Sequence, residues 1–187
     1  AGTIDKWELN KSNGQLEWEI VNGKPRKVHY LGYPGNYGFI PQTILSKDHG
    51  GDGDPLDVLI LGPAVERGSI QKCKIIGVLK LTDHSENDDK IIAVSQNTEM
   101  YKVNDILEME NEFDGVLDII EIWFKNYKGS DVPQANGYSS RDSAMEIIHS
   151  AIDGDHYRLL NQHRTRTHRL ILLLKNNFDI NSYTFSS

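Results

Sequence analysis

Cysteine is nearly missing from this chain: Cys73 is the single one in 187 residues. No internal disulfide can form, and the alternating stretch "SIQKCKIIGVLKL" around it predicts a buried, inert thiol. Long apolar runs are missing as well. The longest, Leu170 to Leu174, falls far short of the roughly eighteen residues that a membrane span requires. Basic residues are in deficit, 20 against 27 acidic ones, for a formal net charge of -7. That balance excludes a general nucleic-acid surface, since phosphate backbones require a basic patch. The one basic cluster, "HRTRTHR" at 163–169, reads as a solvated or inter-subunit helix face. The histidines are scattered, with neither HExxH nor Cys/His spacing, so zinc chemistry has no support. Repeats, low-complexity segments and linkers are absent. With 38% hydrophobic residues, the whole of 1–187 is expected to form one domain.

What is present begins with strand patterns. "KWELN", "LEWEIV" and "KVHYL" alternate apolar and polar residues, separated by the turn sequences "KSNG" and "NGKP", which predicts an antiparallel meander. Further strands are expected at "DVLILG", "QKCKIIGVLKL", "KIIAVS" and "DILEM", each rich in Val, Ile and Leu. Some seven strands suggest a closed barrel, which removes exposed edges. The period then changes. "DGVLDIIEIWFKNYKG" places Val116, Ile119, Ile120 and Trp123 on one helical stripe, with Gly129 just beyond the end. A second helix follows in "SRDSAMEIIHSAI", where Ala144, Ile147, Ile148 and Ala151 recur at helical spacing and Ser140 or Asp142 caps the start. Composition and periodicity thus predict a mainly β domain with flanking helices.

The stretch "GDGDPLDVLI" crowds Asp52, Asp54 and Asp57 into six residues. Like charges so close repel and raise one another's pKa unless a cation sits among them. Pro55 breaks regular pairing, so the carboxylates can converge from a loop and a strand start, and hard cations such as Mg²⁺ and Ca²⁺ take oxygen ligands. An acidic surface turn is the plainer alternative. An EF-hand is excluded, because the twelfth loop position is Leu59 or Pro63 where a bidentate Glu is required. A second acidic loop, "TDHSENDDK", carries Asp83, Glu86, Asp88, Asp89 and Lys90.

Taken together, these motifs resemble family I soluble inorganic pyrophosphatases. The signature Asp-x-Asp-Pro-x-Asp followed by an apolar residue is matched by Asp52, Asp54, Pro55, Asp57 and Val58. Lys6 and Glu8 in "KWELN", Tyr37 in "YPGNYGFIP", Asp83, Asp88 and Lys90 in "DHSENDDK", and Tyr127 and Lys128 in "NYKG" match further family positions. The family's arginine falls on Arg26 in "NGKPRKV". The resemblance runs from Ala1 to about Lys128 and fades beyond Gly129, where no counterpart appears to a further lysine found in many members. The chain opens at "AGT", inside a motif that family members complete upstream as "EIPAG", so it is expected to be the body of a longer protein.

The resemblance implies an OB-like five-stranded closed barrel with additional strands and two or more helices. It also implies Mg²⁺-dependent hydrolysis of pyrophosphate to two phosphates. Several Mg²⁺ ions would be held by Asp52, Asp57, Asp83 and Asp88 with Glu8 nearby, and a water bridging two ions would be the nucleophile. Asp54 would be the general base or water-orienting residue, or else a further metal ligand, and Lys6, Arg26, Lys90, Tyr127 and Lys128 would grip phosphate, with Lys90 alternatively neutralising Asp83 and Asp88. Lys128 and Tyr37 are counted with the catalytic groups. Tyr37 would donate to phosphate or a metal-bound water, or else be a core tyrosine satisfied by a carboxylate. Ca²⁺ is expected to inhibit. No nucleic-acid or membrane partner is expected; a cytoplasmic homo-oligomer, in bacteria often a hexamer, is. Two rival readings are a phosphohydrolase for organic diphosphates and a non-catalytic Ca²⁺-binding module.

Overall fold

The computed structural model describes residues 1–10, 12–45, 53–84, 86–129, 133–162 and 183–186. Its first elements are two short hairpins. Strands β1 (Trp7–Asn10) and β2 (Gln15–Trp18) pair antiparallel with Trp7 opposite Trp18, and the two indoles stack at 5.1 Å. Strands β3 (Ile20–Val21) and β4 (Lys24–Pro25) flank Asn22 and Gly23, both left-handed at φ 52° and 75°. Asn-Gly is the dipeptide that a two-residue hairpin with two positive φ angles favours. "LEWEIV" is therefore not one strand but parts of two hairpins. "KVHYL" is not a strand: Lys27 makes an isolated bridge to Asp5, and the chain then runs irregularly through exposed Tyr30 and Leu31.

The main sheet contains β5 (Asn36–Phe39), β6 (Asp57–Leu61), the long β7 (Ile70–Asp83), β8 (Glu86–Asn87) and β9 (Lys90–Ser95), joined by β10 (Gln134–Ser139) and β11 (Tyr183–Ser186). β5 runs antiparallel to β6, β6 parallel to β9, and β9 antiparallel to β7. β11 pairs with both β7 and β5. Every residue of β9 is buried, as expected of a strand covered on both faces. Alternation divides the side chains. Leu59, Leu61, Ile92 and Val94 enter one apolar cluster, while Val58, Ile60, Ile91 and Ala93 enter the other.

Helices cover these faces. α1 (Ile106–Glu112) replaces the strand expected at "DILEM": the Asp105 side chain caps the Leu107 amide at 3.2 Å, and Ile106 and Met109 share a buried face at helical spacing. α1 approaches β7 at Gly77, where a Cβ would lie 2.2 Å from Cγ1 of Ile106. α2 (Val116–Asn126) buries Leu117, Ile120, Trp123 and Phe124, so the expected stripe is rotated: Ile119 is 61% exposed. From Val116 to Phe124 all but Asp118 and Glu121 are apolar, and such a pattern leaves the helical phase open. Trp123 decides it, donating from Nε1 to the Leu31 carbonyl at 2.8 Å and packing on Tyr33. α3 (Arg141–Gln162) begins at Ser140, whose Oγ accepts from the Ser143 amide, and buries Ala144, Ile148 and Ala151 against the second cluster. Among the described residues no helix is long and apolar enough to cross a membrane. The basic cluster at 163–169 lies outside the described residues.

Candidate active site

Of the twelve candidate residues, Asp52 lies outside the described residues. The other eleven line a single cleft of about 630 Å³. They arrive from separate parts of the chain. Lys6 and Glu8 come from the start of β1, Arg26 follows β4, and Tyr37 lies on β5. Asp57 opens β6, Asp83 closes β7, Asp88 and Lys90 introduce β9, and Tyr127 and Lys128 end α2. Strand starts and ends gather here because β6 and β9 are parallel neighbours, which puts Asp57 and Lys90 at the same end.

The centre is a carboxylate–ammonium cluster. Lys90, 2% exposed, places Nζ 2.6 Å from Asp57 Oδ2 and 2.5 Å from Asp88 Oδ1. Burial alone would favour a neutral amine, but Asp57 and Asp88 outweigh it and raise the Lys90 pKa. Burial likewise pushes the Asp88 carboxyl above its ordinary value, against the pull of Lys90. Lys90 was expected to contact phosphate or to neutralise Asp83 and Asp88; it pairs with Asp88, while its second carboxylate is Asp57 rather than Asp83. Asp83 pairs instead with Lys128, and with His84 Nδ1 at 2.9 Å. Although burial raises the Asp83 carboxyl, Lys128 and His84 hold it below its ordinary value.

Aromatic groups wall this cluster. Tyr37 lies buried beside Asp57, and burial together with the Asp57 and Asp88 charges pushes its hydroxyl well above its ordinary pKa. Tyr127 stacks on Trp123 at 4.7 Å and is also pushed up, chiefly by burial. Tyr33 rises to about 12 from burial and the Asp57 charge. Phenols that remain protonated can donate hydrogen bonds to an anion.

A second charged group sits near the hairpins. Lys6 Nζ lies 3.0 Å from Glu8 Oε1 and 2.9 Å from Glu19 Oε2, while Arg26 Nη1 lies 2.7 Å from Glu19 Oε1. Glu19 was not anticipated. It follows "LEW" as one more acid in an alternating run, and its two partners lie 13 residues before it and 7 after it. Only the paired hairpins bring them together.

Among the described residues no three Asp, Glu, His or Cys side chains are gathered as a ready metal-ligand set. The donor chemistry nevertheless fits a hard divalent cation. Asp57 and Asp88 both direct an oxygen at one positively charged atom, and Asp54, Asp83 and Glu8 line the same cleft.

The model of the family described as inorganic pyrophosphatase matches residues 1–155. Among curated relatives, a Helicobacter pylori inorganic pyrophosphatase is 34% identical over 155 residues, covering 79% of this chain and 82% of the relative. A Drosophila melanogaster inorganic pyrophosphatase is 37% identical over 142 residues, covering 69% of this chain. The chain spans 42% of that relative and 56% of one from Encephalitozoon cuniculi, about half the length of each. Among solved structures, an N-terminally truncated vacuolar soluble pyrophosphatase from Trypanosoma cruzi, in complex with PPi, superposes with a TM-score of 0.78. Its identity is 28%, with 83% of this chain and 65% of that one covered. The Helicobacter pylori enzyme superposes at 0.68 with 32% identity, covering 83% and 88%. With the matched residues assembled in one cleft and both sequence and fold agreeing, the chain belongs to the inorganic pyrophosphatase family.

Proposed function

We propose that this chain hydrolyses inorganic pyrophosphate to two phosphates in a Mg²⁺-dependent reaction. The observation that carries the reading is the convergence of eleven family-matched side chains on one cleft, acids and cations interleaved. Pyrophosphate is highly anionic and the chain itself carries -7, so attraction must be local. Asp52, Asp57, Asp83, Asp88 and Glu8 are the residues that would hold Mg²⁺. Bound there, Mg²⁺ would neutralise substrate charge and acidify a water bridging two ions. Asp54, just before Pro55, accepts the proton of the attacking water. Lys6, Arg26, Lys128 and Tyr127 grip the phosphoryl oxygens over which the transition state spreads its charge. Lys90 balances Asp57 and Asp88, and Tyr37 donates a hydrogen bond to phosphate or to a metal-bound water.

The same reading treats the sheet as a closed five-stranded barrel. It is supported by the pairing circuit β7–β11–β5–β6–β9, which returns to β7. It takes residues 1–187 as one domain, supported by the two apolar clusters that share the strands of this sheet. Family likeness supports a cytoplasmic homo-oligomer. Phosphate release from pyrophosphate with Mg²⁺, with Ca²⁺ and with chelator tests the activity. Release with Mg²⁺ alone is expected; no release with any divalent cation overturns the proposal.

A further inference from the structure

Lys6, Glu19 and Arg26 are tied together twice, once through the backbone and once through their side chains. The Lys6 amide donates to the Arg26 carbonyl at 3.2 Å, the Arg26 amide to the Glu19 carbonyl at 2.7 Å, and the Glu19 amide to the Lys6 carbonyl at 3.1 Å. These three bonds close a ring through the three residues. Over this ring the Glu19 carboxylate divides its oxygens, Oε1 to Arg26 at 2.7 Å and Oε2 to Lys6 at 2.9 Å. Glu19 is 17% exposed, and it is not part of the cleft lining to which Lys6 and Arg26 both belong.

We infer that Glu19 is a positioning residue: it sets Lys6 and Arg26 at a fixed separation so that both meet one phosphoryl group of the substrate. This rests on the pyrophosphatase reading above. Long flexible cations lose rotamer freedom when they grip an anion, and a shared carboxylate imposes that order in advance. The guanidinium fork leaves further N–H donors beyond the one facing Glu19, and the ammonium likewise. Glu19 therefore orients both groups without using up their capacity for phosphate. The β3–β4 hairpin connects Glu19 to Arg26 and, by returning the chain to the same level, makes the bridge possible. The ion pairs agree with this geometry: although burial would raise the Glu19 carboxyl, Lys6 and Arg26 hold it below its ordinary value.

Kinetics of Glu19→Gln decide the matter. This near-isosteric change removes a negative charge, and Coulomb attraction alone would then draw an anionic substrate in more tightly and lower KM. The opposite is expected: KM for pyrophosphate rises about 10-fold or more, of the order of a coupled contact, while Mg²⁺ binding measured calorimetrically without substrate stays unchanged. In an Arg26→Ala background the same substitution should raise KM by much less, because one of the two groups it positions is gone. A merely structural role would lower the active fraction, depressing kcat and leaving KM alone. If the wild type is active and KM is unchanged or lower in Glu19→Gln, the inference is wrong and the hydrolase reading stands. If the wild type releases no phosphate, the hydrolase reading is wrong. Titration of inorganic phosphate into wild type and Glu19→Gln then judges the clamp alone, and equal affinity or no binding overturns it.

Discussion

Lys90 is 2% exposed and yet charged, because two carboxylates reach its ammonium within 2.6 Å. Removing it should be costly. Lys90→Met leaves Asp57 and Asp88 facing one another across the cleft, and we expect metal-free stability to fall by roughly 2 kcal/mol. That is less than for a fully buried pair, since Asp57 is 35% exposed. Urea unfolding with and without Mg²⁺ would measure it, and added Mg²⁺ should restore more stability to the variant than to the wild type. Asp57→Asn should keep the fold but cut phosphate release by about 10² to 10⁴, the scale of losing a central metal ligand or acid–base group. Retained turnover at saturating Mg²⁺ would remove Asp57 from the centre of the mechanism. Glu19 makes a pH prediction. Its folded pKa lies below the ordinary 4.5, so its ion pairs stabilise the fold above that value and are lost as pH falls through the lowered one. Wild type should exceed Glu19→Gln by about 1 kcal/mol at pH 7. Thermal melts should show this gap closing below pH 4.5.

At the scale of elements, α2 carries both core and site. Its inner face packs Leu117, Ile120, Trp123 and Phe124, and its C-terminal end presents Tyr127 and Lys128 to the cleft. Ile120→Ala should cost about 2 to 5 kcal/mol, since the residue is 1% exposed and leaves a cavity. Ile119→Ala, one position earlier but 61% exposed, should cost no more than about 0.5 kcal/mol. Chemical denaturation of the pair measures the helix phase directly, and equal losses would show that α2 is rotated from the orientation described here. The hairpins behave differently. β3 and β4 are two residues each with exposed side chains, so their contribution is to place Glu19 and Arg26 rather than to bury apolar area.

For the molecule as a whole, the cleft is where Glu8, Asp54, Asp57, Asp83 and Asp88 interleave with Lys6, Arg26, Lys90 and Lys128. A divalent ion that binds only the folded chain stabilises it by mass action, so the melting temperature should climb with Mg²⁺ concentration. Ca²⁺, larger and content with looser coordination, should also raise the melting temperature while supporting little or no phosphate release. Thermal shift and phosphate assays on one preparation separate binding from chemistry. Absence of any shift with either ion would remove metals from the account of this cleft.

Much of the site was legible because short motifs carry their own geometry. Asp54 and Asp57 were nominated by their crowding with Asp52 beside Pro55, whereas Tyr127 and Lys128 in "NYKG" were nominated by the resemblance to the pyrophosphatase family. Local sequence was likewise enough for the Asn22–Gly23 turn and for the first half of α3, over "SRDSAMEIIHSAI", where propensity and periodicity act at short range; the extension of α3 to Gln162 was not read. Three features were decided only by tertiary contacts. The face of α2 depends on the Trp123 bond to Leu31, 92 residues away. The pairing of Lys90 with Asp57 depends on β6 and β9 lying side by side, 33 residues apart. Glu19 became a bridge only when two hairpins brought Lys6 and Arg26 to it. Residue type and short spacing determine which chemistry a chain can offer. Which charges meet is decided by strand pairing and burial, because the energy of an ion pair depends on distance and surroundings that no local pattern encodes.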